Sequence, residues 1–196
     1  MRWTNGTYSG VGHHDKDSDT FTLTRPLSEN PPEGMVLPEP EDVAFPQLCD
    51  DPFRGGDPRF TDPDLTRQPA LQSRLQNLDG YVGSYVSDGV SMFNVLVTGD
   101  PEVAHAELRE VWRGGLCVEQ RQDAPEVDLL AAQQALTTIH EELGVLSSGP
   151  DGMTGRLDIQ ILVADESTVQ RIHKTVSPWL TPEQVQITSS FQPLSR

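Results

Sequence analysis

The chain has 196 residues, a formal charge of −16 at pH 7, 35% hydrophobic residues and a mean hydropathy of −0.44. That charge speaks against nucleic acid and anionic membrane as partners, because binding there draws on clustered Lys and Arg that release counterions, and no such cluster exists here. The length suits one domain with a core plus additional material, and the low apolar content assigns part of the chain to a segment outside that core.

The N-terminal part is that segment. Ten of the sixteen prolines precede Asp79, in text with little apolar periodicity, so residues 1–79 read as a proline-rich acidic arm, mostly non-regular. Its apolar members, among them Met35, Val36, Leu37, Val43, Phe45, Leu48, Phe53, Phe60 and Leu65, predict that it packs on the domain that follows. The opening MRWTNGTYSGVGHH lacks the basic start and apolar core of a signal peptide, and no window is apolar enough to span a membrane. The default location is the cytoplasm, or outside it if the true start lies upstream. Cys49 and Cys117 allow one disulfide, joining arm to domain in an oxidising compartment; in a reducing one both stay thiols, with Cys117 a small buried residue of an apolar strand. The stretch HHDKDSD opens like a calcium loop but has Thr20 and Pro26 where that loop needs Gly and Glu, and DDPFRGGDPRFTDPD reads as a run of turns. No metal site and no cofactor is expected.

A short helix is expected at Ala70–Leu78, with Leu71, Leu75 and Leu78 on one face. Beyond it, Tyr81–Ser87 and Ser91–Thr98 alternate as strands around Asp88-Gly89, a pair favoured in tight hairpin turns. Gly80 and Gly83 are not followed by a helix, which removes the context of a phosphate loop; they serve turns and close packing. Asp100-Pro101-Glu102 opens a helix to residue 112, with Val103, Ala104, Leu108, Val111 and Trp112 as its buried stripe and His105 off it. Strand Leu116–Gln122, a long helix from Pro125 to Leu143, a flexible loop SSGPDGMTG, strand Arg156–Ala164, helix Glu166–Val176 and strand Gln184–Ser190 complete the order. His140 and His173 flank their helix stripes and read as solvated or rim positions, and Gly144 stands where the HEELG stretch would need a second zinc ligand.

Two segments repeat one plan: NVLVTGDPEVAHAELREVWRGGLCVEQ and DIQILVADESTVQRIHKTVSPWLTPEQVQI each run apolar strand, Asp, helix, Trp, apolar strand. The expected fold is therefore an α+β two-layer sandwich over residues 80–196: a mixed sheet of about five strands with two β-α-β-like units and helices on one face. Trp112 and Trp179 are expected to be largely buried where helix ends meet the sheet; a fully solvated ring would instead mark a binding position.

Residues 80–165, from GYVGSYVSDGVSMFNVLVTGD to DLLAAQQALTTIHEELGV and the strand after it, resemble the pro-regions of bacterial chymotrypsin-like proteases of the alpha-lytic and streptogrisin type. Tyr81, Gly83, Tyr85 and Val86 take the positions of the family's opening strand, and Val82 stands where the family has a small residue. The resemblance implies a sheet that packs against a protein partner. No nucleophile elbow or His-partnered cysteine motif is present, and thirty acidic residues make any one carboxylate pair uninformative. The leading expectation is a non-enzymatic protein-interaction module using its sheet or an edge strand, with Tyr81, Tyr85, Trp112 and Trp179 as candidate surface residues. The alternative is a small enzyme or ligand-binding protein with a carboxylate-lined pocket between helices and arm.

Overall fold

The structure is a computed structural model, and it describes residues 8–15, 18, 20–33, 45–62 and 65–191. The chain divides into one unit of residues 1–42 with 192–196 and a second of residues 43–191, so residues 45–79 fall with the α/β unit rather than apart from it. Of the arm's apolar residues, Met35, Val36, Leu37 and Val43 lie outside the described residues.

In the first unit, β1 (Gly12–Asp15) and β2 (Thr20–Leu23) pair antiparallel, and a bridge between Ser9 and Ser28 prolongs the hairpin. The arm is therefore not wholly non-regular. Threonine and phenylalanine in TFTL favour a pleated strand, and Gly12 leaves room for the Phe21 ring, which a Cβ at that position would meet at 2.6 Å.

The second unit contains one plan twice. The first copy runs α1 (Gln68–Gln76), β3 (Tyr81–Val86), β4 (Phe93–Val97), α2 (Pro101–Arg109) and β5 (Leu116–Gln120). The second runs α3 (Glu126–Thr137) with a one-turn α4 (His140–Leu143), then β6 (Val145–Asp151), β7 (Arg156–Val163), α5 (Glu166–Val176) and β8 (Val185–Phe191). In each copy an antiparallel hairpin is followed by a helical crossover to a parallel third strand, giving sheets of order β3-β4-β5 and β6-β7-β8. The correspondence reaches single residues. Gly80 and Gly144 both take positive φ just before the first strand, and each accepts a backbone hydrogen bond through its carbonyl, from Thr98 at 2.8 Å and from Leu162 at 2.9 Å. Both hairpins carry a register shift at the same place, after Tyr81 and after Val145. Asp100 and Asp165 cap their helices by accepting the N–H of Glu102 and of Thr168, at 2.8 and 3.0 Å.

Each sheet has its own core. Leu71 and Leu75 of α1 and Ala104 and Leu108 of α2 pack on Phe93, Val95 and Val97, while Leu129, Ala132, Leu136, Ile172 and Val176 pack on Leu157, Ile159 and Ile161. The mixed α/β character matches expectation, but the single sheet of about five strands does not form. Among the described residues there are two three-stranded sheets and one two-stranded hairpin. The expected flexible loop SSGPDGMTG is the reason: its first part lies in β6, paired with β7, which gives the second copy a full sheet of its own. Serines, a glycine and a proline hid that strand, because its place comes from pairing rather than from side-chain burial.

Other expectations change in detail. Asp88-Gly89 does not make a two-residue turn; the Asp88 carboxylate accepts the N–H groups of Val90, Ser91 and Met92, organising a longer loop that closes with Ser87 N–H to the Met92 carbonyl. The long helix breaks at Thr138 and Ile139, between α3 and α4. Val103 is 64% exposed and His105 is buried, the reverse of the expected stripe on α2.

The tryptophans also part company. Trp112 is fully buried, donates through Nε1 to the Gly115 carbonyl at 3.1 Å, and meets Phe60 and Phe93 edge-on with ring centroids 5.0 and 4.9 Å apart. Trp179 is 39% exposed, and the buried residue at that helix end is Leu180, whose N–H reaches the Val176 carbonyl as Trp112 N–H reaches Leu108. Trp112→Ala is expected to cost about 3–5 kcal/mol in urea unfolding, the range for truncating a buried aromatic. Trp179→Ala is expected to cost under about 1.5 kcal/mol, since its ring is partly solvated.

Candidate interaction surface

A three-stranded sheet with helices on one face leaves its other face to be dealt with. On β4 all five residues are buried, so the first sheet is covered on both sides. Its outer face carries Tyr85, Asn94, Leu96 and Cys117, which alternate with the inner residues along the register. Residues 45–57 lie over it. The Tyr85 hydroxyl donates to the Pro46 carbonyl at 2.8 Å and the Phe45 ring lies tilted against its ring, Leu48 N–H donates to Asn94 Oδ1 at 2.9 Å, and Leu116 N–H donates to the Pro52 carbonyl at 2.8 Å. Asn94 is fully buried, and its Nδ2 is satisfied by Ser87 Oγ and the Met92 carbonyl. Cys49 and Cys117 are joined in a disulfide with Cα atoms 5.5 Å apart. The turn of the β6–β7 hairpin closes the rest: a Cβ on Gly83 would meet Gly152 at 2.5 Å, and one on Gly155 would meet Val82 at 2.7 Å.

Arg109 of α2 fastens the same segment from the helix side. Its guanidinium donates to the carbonyls of Arg54 (2.9 Å), Pro52 (2.7 Å) and Gly114 (2.6 Å), a fork that lysine cannot reproduce. Arg54 pairs in two bonds with Glu102, at 2.8 and 3.0 Å. Between these cations His105 is buried, with Nε2 lacking a hydrogen-bond partner. Burial, then the charges of Arg109 and Arg54, hold its pKa below the ordinary value, partly offset by Glu102.

The second sheet treats the corresponding face differently. By register, Asp158 stands where Asn94 does, Gln160 where Leu96 does, and Gln186 where Cys117 does. With Ser147 and Thr188 these side chains line an open concavity of about 400 Å³. All of them are exposed, and no segment among the described residues of the 43–191 unit lies over them as residues 45–57 lie over the first sheet. Partial desolvation of the carboxyl by the strands around it, then the nearby Asp151 carboxylate, raise the Asp158 pKa above its ordinary value, with Arg156 opposing.

The candidate residues read from the sequence are not gathered by the fold. Tyr85 is engaged by the arm, Tyr81 faces the first core with its hydroxyl 2.8 Å from Ser84 Oγ, Trp112 is interior, and Trp179 stands apart at the end of α5. Asp158, Gln160, Gln186 and Thr188 went unnoticed, although alternation of polar residues with Leu157, Ile159 and Ile161 marks a half-buried strand whose other face is open. A Ser148 Oγ and His140 Nε2 contact at 3.4 Å has no carboxylate on the other ring nitrogen among the described residues. No family model matches the chain, and the search of curated proteins returns no match. No helix among the described residues is long and apolar enough to cross a membrane.

Two outcomes follow for the clamp. The double variant Cys49→Ser/Cys117→Ser is expected to lose about 2–4 kcal/mol in urea unfolding, as for loss of a bridge closing a long loop. For His105 the depressed folded pKa means that above about pH 6.5 the ring is neutral folded and unfolded alike, whereas below it the unfolded chain takes up the proton first. Stability should fall as the pH drops from about 6.5 toward the lower folded value, and His105→Leu should flatten that part of the profile, as read by unfolding at pH 7.5 and 5.5.

Proposed function

We propose that the protein is a non-enzymatic protein-interaction module that takes a polypeptide segment across the outer face of β6-β7-β8. One observation carries this reading. The same structural unit occurs twice, and in the first copy the corresponding face is filled by an irregular, turn-containing segment of the chain itself, held through Asn94, Tyr85 and Cys117. The second copy offers Asp158 and Gln186 at the positions of Asn94 and Cys117, so a partner there meets side chains suited to backbone N–H and C=O groups rather than a thiol. The resemblance to protease pro-regions implies the same kind of sheet-mediated contact. The disulfide supports an oxidising compartment as the place of action, in preference to the cytoplasm.

The reading is tested by selecting random dodecapeptides displayed on phage against the immobilised, oxidised protein. Enriched peptides should lose about tenfold or more in affinity, some 1.4 kcal/mol, toward Asp158→Lys/Gln186→Lys and keep it toward Trp179→Ala. No enrichment, or enriched peptides indifferent to the double substitution, would refute it.

A further inference from the structure

A second surface lies where the two copies meet. The C-terminal end of α1, the start of β3 and the first turn of α3 enclose a groove of about 560 Å³ that includes Leu78, Asp79, Tyr81, Glu126, Val127 and Leu130. Val127 is 69% and Leu130 46% exposed, three residues apart on α3, so they present one apolar strip to solvent. A smaller recess shares Leu78 and Asp79 with this groove and adds Val103 of α2, itself 64% exposed. Three aliphatic side chains thus stand in water around two adjoining hollows, where elsewhere in the unit helices turn such residues inward.

The electrostatics of the two hollows have one sign. Neither Asp79 nor Glu126 has an ion-pair partner among the described residues, and no Lys, Arg or His lines the groove or the recess. Burial alone raises the Glu126 pKa above its ordinary value, with no cation to offset it. The C-terminal end of α1 lines the same space at Gln76 and Asn77, and Arg74 of its last turn is paired with Glu107 and Glu110. The positive end of α3 is already met by Glu126 and Asp128 of its own first turn. An anionic ligand is therefore disfavoured. A second copy of this chain, with its charge of −16, is disfavoured on the same ground.

We propose that this groove docks a cationic amphipathic segment of a partner protein, its aliphatic side chains against Val127, Leu130 and the Tyr81 ring and a Lys or Arg between Asp79 and Glu126. The surface is distinct from the face of β6-β7-β8, so the two proposals stand or fall separately.

Isothermal titration of the intact oxidised protein with three synthetic twelve-residue peptides tests it: an amphipathic Leu/Lys helix, its Leu/Glu counterpart and a Ser/Lys peptide of equal charge. The Leu/Lys peptide should bind and the other two should not. Glu126→Gln and Leu130→Ser should each weaken binding about tenfold, whereas the charge-matched Glu141→Gln, on exposed α4, and Asp158→Lys should leave it within about twofold. Circular dichroism of each variant should match the parent. Equal binding of the Ser/Lys peptide, or equal loss in Glu141→Gln, would assign the attraction to the overall acidity of the chain and overturn the proposal, as would no binding of the Leu/Lys peptide.

Discussion

The outer face of β3-β4-β5 has to be kept from water, and much of the 43–191 unit is arranged around that requirement. Leu96 and Val82 are buried there to within 1%, and burial of such side chains is worth about 1.5–3 kcal/mol each. The inner face is already taken by α1 and α2, so the cover must come from elsewhere in the chain. Residues 45–57 provide one part and the Asp151–Gly155 turn of the second copy the other. The two copies are therefore not independent beads, because the second lends its hairpin turn to the first. Glycines at 83 and 152 permit that approach, since a side chain at Gly83 would strike the Gly152 backbone.

The clamp on residues 45–57 acts mainly on main-chain atoms. Asn94, Leu116, Tyr85 and Arg109 contact N–H and C=O groups of Leu48, Pro52, Pro46 and Arg54, so the segment's position is set by backbone geometry and by the disulfide more than by its side chains. Prolines at 46 and 52 suit this role. They lack a donor that would need satisfying, and they narrow the unfolded ensemble that ordering must overcome. The segment that composition marks as outside a core thus becomes a wall of one.

Legibility in the sequence followed burial. Helices α2 and α5 were readable because an aspartate cap, a first-turn acid and aliphatic spacing all agree, and β4 and β7 because aliphatics crowd them. The repeat was visible only in its β-α-β half, since β3 and β6 share neither composition nor pattern; what they share is a positive-φ glycine before them and a register shift within them. β6 was missed for that reason. His105 was misplaced because an α-helical stripe predicts a side facing the sheet, and residues 45–57 cover the flank of α2 where His105 sits beside Arg109 and Arg54. Likewise the open face of β6-β7-β8 was written in the sequence as polar alternation, but its meaning came only from the first copy, where the same positions are occupied.

That comparison also bounds how tightly a partner can hold. In the first copy the covering segment is tethered, so its ordering cost is met within the chain and fixed by a covalent bond at Cys117. A separate polypeptide on the second sheet has neither advantage, and the face there offers Ser147, Asp158, Gln160, Gln186 and Thr188 without a large apolar anchor. Polar contacts alone seldom exceed the translational and conformational losses of association by much. On the proposal above, binding at this face would accordingly be of the weak, reversible kind, and durable association would need a second point of attachment. The groove beside α3, with its exposed aliphatics and unpaired carboxylates, lies on the same 43–191 unit and has the apolar element that the sheet face lacks. A partner engaging both would gain from their effective concentration what neither surface supplies alone.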